Sequence, residues 1–252
     1  MKKLLDMFRT AGIVGFMLVF VSIPVNATVI QNADGFSATG AAVNFTAQLT
    51  ISGDILTIGL FNMSSASTDS PDDLLSSYFF DITKNGSRPV LTYLSAAGDV
   101  YLTDRSFLDL LQAEDADLKA DSPGDYTWQY KSFNAALNPF YGFGIGTVGN
   151  AQLNPNNFQG NIVGGMDYSI YAGEITTRNL HDRLLVKSEA TFTFSGLTGF
   201  TEADIASSSG FGMGTVPDGI LTGQTITGSF EIPEPATIAL LCLGGLVLIK
   251  KR

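Results

Sequence analysis

The chain has 252 residues, a formal net charge of −10 and a single cysteine, with hydrophobic residues making up 45% and charged residues 15%. An acidic balance of this kind excludes nucleic acid as a partner, because no basic patch is present to neutralise phosphates. The lone Cys242 excludes a disulfide framework, so stability has to come from a packed core.

Lys2, Lys3 and Arg9 open the chain, an apolar run follows from Ala11 to Ile23, and Val25-Asn26-Ala27 supplies small residues behind it. That order is a secretory signal peptide over residues 1–27, with cleavage expected after Ala27. Residues 28–232 then form a body long enough to bury one substantial core, and a single domain is the simplest count. Much of the chain's positive charge lies in its two ends, so the body is more acidic than the whole. A solvated acidic surface is the plain explanation; cation binding is the sharper one.

Period-2 patterning dominates the body. Val43, Phe45, Ala47, Leu49 and Ile51 alternate with Asn44, Thr46, Gln48, Thr50 and Ser52, which gives a strand with one core face and one wet face. Ser52-Gly53-Asp54 turns the chain, and Leu56, Ile58 and Leu60 resume the alternation as the second arm of a hairpin. Ser70-Pro71-Asp72-Asp73 reads as a helix start, with a cap, a proline at the first position and acids in the first turn. Further strands are expected at Tyr78–Ile82, Pro89–Leu94, Asp99–Leu102, Tyr126–Phe133, Asp167–Tyr171, Leu184–Ser195 and Thr225–Ile232. The best helix runs from Ser106 to Lys119, where Phe107, Leu108, Leu111 and Leu118 can share a face. Asn134 to Gly165 is rich in Gly, Asn and aromatics and reads as long loops around a glycine-permitted strand. Many short strands with glycine-rich connections predict an all-β sandwich or jelly roll carrying one or two short helices.

No motif in the body declares a chemistry. His181 is the only histidine, and neither a Gly-x-Ser-x-Gly elbow nor a His-Glu-x-x-His pair occurs, so a serine triad or a zinc protease has no support. Gly142-x-Gly144-x-Gly146 lacks the strand-to-helix setting of a nucleotide loop and suits a tight strand or turn. Abundant acids allow a glycosidase pair, but none is distinguished by its surroundings. Asp69, Asp72 and Asp73 cluster as candidate calcium ligands, although Asp72 and Asp73 are also explained as helix N-terminal acids. Tyr126, Trp128 and Tyr130 fall on one strand face, which favours the core over a sugar-stacking platform.

The chain closes on Pro233-Glu234-Pro235, an apolar run from Ala236 to Ile249, and Lys250-Lys251-Arg252. Two prolines end the folded body, since neither donates an amide and each restricts its predecessor. As a helix the apolar run spans about 21 Å, short of a bilayer core of roughly 30 Å, but the terminal cations can snorkel to headgroups. Cations stay cytoplasmic, which puts the body across the inner membrane.

This tail resembles the PEP-CTERM sorting signal of Gram-negative bacteria, in which a Pro-Glu-Pro motif, a transmembrane helix and a basic cluster are handled by a membrane protease-transferase, the exosortase. Residues 233–252 would be that signal. Ser70-Pro71-Asp72-Asp73-Leu74-Leu75 leading into Phe79-Phe80-Asp81-Ile82, then Thr191-Phe192-Thr193-Phe194-Ser195-Gly196-Leu197, and Phe211-Gly212-Met213-Gly214-Thr215 resemble landmarks of an exosortase-dependent surface family named for an X-Asp-Asp signature. The resemblance implies a membrane-anchored intermediate, processing near the Pro-Glu-Pro motif and delivery to the cell surface or extracellular matrix. It supplies no catalytic residue. The expected role is a non-enzymatic surface component associated with polysaccharide; a secreted carbohydrate-active enzyme with unidentified acids is the alternative. Turnover against saturable binding on a polysaccharide panel separates the two.

Overall fold

A computed structural model describes residues 28–104, 109–119, 127–133, 141–147 and 166–214, together with the backbone of 225–227 and 229–231. The protein is all-β. Its strands are β1 (Thr28–Phe36), β2 (Ala42–Ser52), β3 (Ile55–Asn62), β4 (Leu75–Phe80), β5 (Thr92–Thr103), β6 (Asp109–Asp117), β7 (Gln129–Ser132), β8 (Phe143–Gly146), β9 (Ile170–Tyr171), β10 (Leu184–Lys187), β11 (Glu189–Ser195), β12 (Gly210–Met213), β13 (Thr225–Thr227) and β14 (Ser229–Glu231). Among the described residues, helix is confined to 3-10 turns at Pro71–Asp73, Arg178–Leu180 and Glu202–Asp204. None is long and apolar enough to cross a membrane. The expected signal peptide and the expected membrane helix lie outside the described residues.

The hydrogen-bonded path runs β13-β12-β4-β9-β10-β5-β11-β3-β2-β1-β14, with β6 added to β5 and β7–β8 added to β4. Its two ends are the same stretch of chain. β13 pairs with β12 and β14 pairs with β1, so residues 225–231 close the path on itself. The opposite join is a fork. β10 and β11 both pair antiparallel with β5, but β10 has β9 on its other side and β11 has β3. Ser188, at φ 67°, is the residue between them.

The core follows the alternation. Val43, Phe45, Ala47, Leu49 and Ile51 of β2 are buried with Leu56, Ile58 and Leu60 of β3 and Phe192 and Phe194 of β11. Aromatic rings from the other branch meet this face: Phe45 lies 6.1 Å from Phe211, Phe192 4.9 Å from Trp128, and Phe194 5.1 Å from Tyr130. Such ring pairs add about 0.5–1.5 kcal/mol each beyond simple burial. Gln31 is wholly buried among them and stays satisfied, with Nε2 donating to the Ala206 carbonyl at 2.9 Å and Oε1 accepting from the Tyr78 hydroxyl.

β2 and β3 occupy the expected hairpin. The two strands expected at Pro89–Leu94 and Asp99–Leu102 are one, β5, and the run Leu184–Ser195 is broken at Ser188. Thr28–Phe36 was not recognisable as a strand because its charged and polar residues interrupt the apolar ones; cross-strand pairing with β2 along its whole length orders it. β8 is the glycine-permitted strand. The helix expected over Ser106–Lys119 is corrected: Asp109–Asp117 is β6, paired with β5 from Ala97 to Thr103. A lone helix of that length is marginal in water, and β5 presents an edge of peptide groups that needs partners. Leu118 is buried, whereas Leu110 and Leu111 remain half-exposed on an edge strand that also carries Glu114, Asp115 and Asp117.

Two glycines permit close approach. Gly196 has φ +107°, and a Cβ there would run into the Val90 carbonyl oxygen. A Cβ at Gly142 would lie 2.5 Å from Asp81 Oδ1, inside the bidentate pair that Arg88 makes with that carboxylate through Nε and Nη2, both at 2.8 Å. The closing segment carries the first prediction. A body ending at Gly228 should be less stable than one ending at Glu231 by about 2 kcal/mol, because the outer edge of β1 loses its ladder. Urea midpoints of the two truncations check this; equal midpoints would show that β14 contributes nothing to closure.

Candidate functional site

The Asp-Asp turn is built by capping. Ser70, at φ −145°, caps the 3-10 turn and accepts the Asp72 N–H on its hydroxyl at 3.2 Å. Asp73 returns the contact: its Oδ2 accepts the N–H of Ser70 at 2.9 Å and that of Asp69 at 3.0 Å. The carboxylate is 4% exposed, and its Oδ1 accepts from Thr39 Oγ1 at 3.3 Å, which ties the β1–β2 turn to it. Buried Asn62 donates through Nδ2 to the carbonyls of Asp73 at 3.4 Å and Ile170 at 3.0 Å. Thr176 donates its hydroxyl to Asp69.

Two of the sequence landmarks meet here. β12 pairs with β4, and the Gly214 N–H donates to the Leu74 carbonyl at 3.0 Å. Gly214 has φ +71°, and a Cβ on it would lie 2.8 Å from Asp72 Oδ1. The acids expected as calcium ligands thus sit side by side, with Asp73 committed to backbone donors. No group of three or more His, Cys, Asp or Glu side chains suited to a metal ion occurs among the described residues.

A second polar cluster lies at the fork. Lys187 Nζ is 2.7 Å from Asp109 Oδ2, which also accepts the Tyr171 hydroxyl at 2.9 Å, while Thr103 donates to Oδ1 at 3.2 Å. The Lys187 ammonium lies 5.3 Å from the Tyr101 ring centre and 5.6 Å from that of Tyr171. This cluster pins the start of β6 to the ladder. Where β5 and the β10–β11 strand part around Ser188, a groove of about 380 Å³ opens, lined by Asp99, Tyr101, Asp115, Lys187 and Glu189 among others. A second groove of about 460 Å³ lies beside the β1–β2 turn, between Asp34, Phe36, Val43 and Met63.

Trp128 is fully buried, donates Nε1–H to the Tyr168 carbonyl at 2.9 Å and packs edge-on to Phe192. It therefore belongs to the core and presents no stacking face to a sugar; Tyr126 lies outside the described residues. Phe133 packs with Phe79 and Tyr141 in a small separate cluster. His181 follows the turn Arg178–Leu180, its N–H donating to the Arg178 carbonyl at 3.2 Å.

Ala27, the motif Pro233, Glu234 and Pro235, and the tail Lys250, Lys251 and Arg252 all lie outside the described residues. What the fold fixes is the chain leading to them. Glu231 pairs with Ile30, Phe230 with Gln31 and Ser229 with Asn32, so the strand heading for Pro233 runs antiparallel along β1 toward Thr28. This closing strand went unrecognised as a functional element because short alternation says nothing about which edge a strand joins. No family model, no curated protein and no solved structure matches the chain.

Asp73→Ala should cost about 1–2 kcal/mol, since it removes the cap from the part-buried N–H groups of Asp69 and Ser70. Asp72→Ala should stay within about 0.5 kcal/mol, as expected for a partly exposed acid without backbone donors to satisfy. Thermal melts of both variants read this, and equal shifts would mean that capping is not what the turn is for. A second prediction concerns the phenols. Burial raises the pKa of Tyr78, Tyr93, Tyr130 and Tyr171 above the ordinary 10.0, with the Asp117 charge adding at Tyr93 and Asp109 adding at Tyr171. Raised values mean that their contribution to stability is intact below the ordinary pKa and is lost as pH climbs above it. Absorbance at alkaline pH should show these phenols silent near pH 10 in the folded protein and ionising together with unfolding; full ionisation near pH 10 without unfolding would contradict their burial.

Proposed function

We propose that the chain is an exported surface protein whose body is a β-sandwich of jelly-roll character, sorted by an exosortase through its C-terminal signal. The sandwich reading is supported by the way β1, β2, β3 and β11 turn their apolar faces toward the aromatics of β4, β8 and β12. In this reading a leader is removed after Ala27, Pro233-Glu234-Pro235 is the recognition element, and Ala236–Ile249 holds the intermediate in the inner membrane. Lys250, Lys251 and Arg252 fix its orientation. The released body acts at the cell surface or in the extracellular matrix as a non-enzymatic component associated with polysaccharide.

The observation that carries the reading is the pairing of Glu231 with Ile30. An export substrate tethered at its C-terminus is served by a paired strand that stands close before the membrane segment in sequence, and four residues separate the end of β14 from Ala236. The acidic body without a basic patch fits an external, solvated setting.

Intact mass and fractionation from the native host, with and without its exosortase, test the proposal. The expected result is loss of the segment after the Pro-Glu-Pro region only when the exosortase is present, with the shortened body leaving the inner membrane. A tail retained in both strains would reduce the protein to an ordinary tail-anchored one.

A further inference from the structure

The chain enters and leaves the fold at one pole. Thr28 faces Thr50 across β1–β2, Ser52 faces Ile55 across β2–β3, and Ser195 faces both Ile55 and Thr92. Glu231 joins this end through Ile30. The same pole holds the loop from Lys84 to Leu91, because Lys84 Nζ donates to the Gly199 carbonyl at 2.5 Å and Gly196 lies against the Val90 carbonyl. The opposite pole carries the β1–β2 turn, Met63 and the Asp-Asp turn, joined by the Thr39–Asp73 contact. β2 runs from one pole to the other, a distance of about 34 Å at 3.4 Å per residue.

The tether is short. Glu231 is followed by four residues before the apolar run opens at Ala236, and those steps span about 17 Å even when fully extended. We infer that in the membrane-anchored intermediate the Thr28 pole stands against the lipid headgroups, with Val90 at its tip, while the Asp-Asp turn and the groove beside Phe36 face away. This rests on the proposed tail anchor. Val90 is 87% exposed, the most exposed large apolar side chain among the described residues. Two basic side chains described at this pole are engaged: Arg88 with Asp81 at 2.8 Å and Lys84 with Asp204 at 3.5 Å. Apposition is therefore imposed by the length of the tether and not by attraction to anionic lipid, so it ends when the tail is cut.

The test uses the anchored intermediate itself, residues 28–252 with the leader removed and the tail uncut, with C242S removing the native thiol, reconstituted in phosphatidylcholine vesicles that contain a headgroup-nitroxide lipid. A fluorophore is placed through V90C or S52C at the near pole, and through A38C or M63C at the far pole; all four native side chains are exposed. Labels at Val90 and Ser52 should lose fluorescence to the nitroxide, and labels at Ala38 and Met63 should keep it. Quenching at Ser52 guards against a label on Val90 that inserts by itself. Equal quenching at both poles, or quenching at the far pole alone, overturns the orientation while leaving the anchor standing. A chain that does not associate with vesicles overturns the anchor, and the orientation with it.

Discussion

Closure of the backbone ladder is the constraint on which the rest depends. A β-structure with an open end exposes a row of unpaired peptide groups, and this fold removes one by bringing residues 225–231 back between β12 and β1. The closing strand has long-range partners at both of its halves, so it completes the fold last in sequence and ties the first strand to the ones that carry the aromatic core. The contacts of Phe45 and Tyr78 with Phe211, at 6.1 and 5.0 Å, lie between the strands that this closure draws together.

Polar groups inside the fold fix its register. A packed apolar core tolerates sliding and repacking, whereas Gln31, Asn62 and Asp73 each have partners in separate segments that only one arrangement satisfies. Asn62 is a clear case: it stands on the inward-facing parity of β3, where alternation would place an apolar residue, and it uses that position to hold Asp73 and Ile170. The Asp-Asp turn is in this sense a joint between chain segments. Its short spacing suits a capped turn, in which Asp73 reaches back to the amides of Ser70 and Asp69.

Much of this was legible in the residues, and the failures have physical causes. The β2–β3 hairpin could be read because alternation over Val43–Ser52 leaves a single face for the core. Ser70-Pro71-Asp72-Asp73 could be read as a capped start because the cap is a local hydrogen-bond pattern. Asp109–Asp117 could not, since Leu, Gln, Ala and Glu favour a helix in isolation and only the vacant edge of β5 reverses that preference. The break at Ser188 was hidden because the apolar run Leu184–Val186 and the alternation over Glu189–Ser195 both read as strand; what splits them is a change of neighbour on one side. The pairing that brings the chain's exit beside Thr28 is a matter of topology, and no periodicity encodes it.

The edge strand β6 has a consequence for how copies of the molecule meet one another in solution. Glu114, Asp115 and Asp117 line its exposed length, and the antiparallel approach of a second β6 would set carboxylates against carboxylates where backbone pairing would otherwise begin. Two copies meeting along β6 thus meet repulsion at that edge. Salt screens repulsion of this kind, so contact between copies along this edge depends on the ionic strength of the surrounding medium.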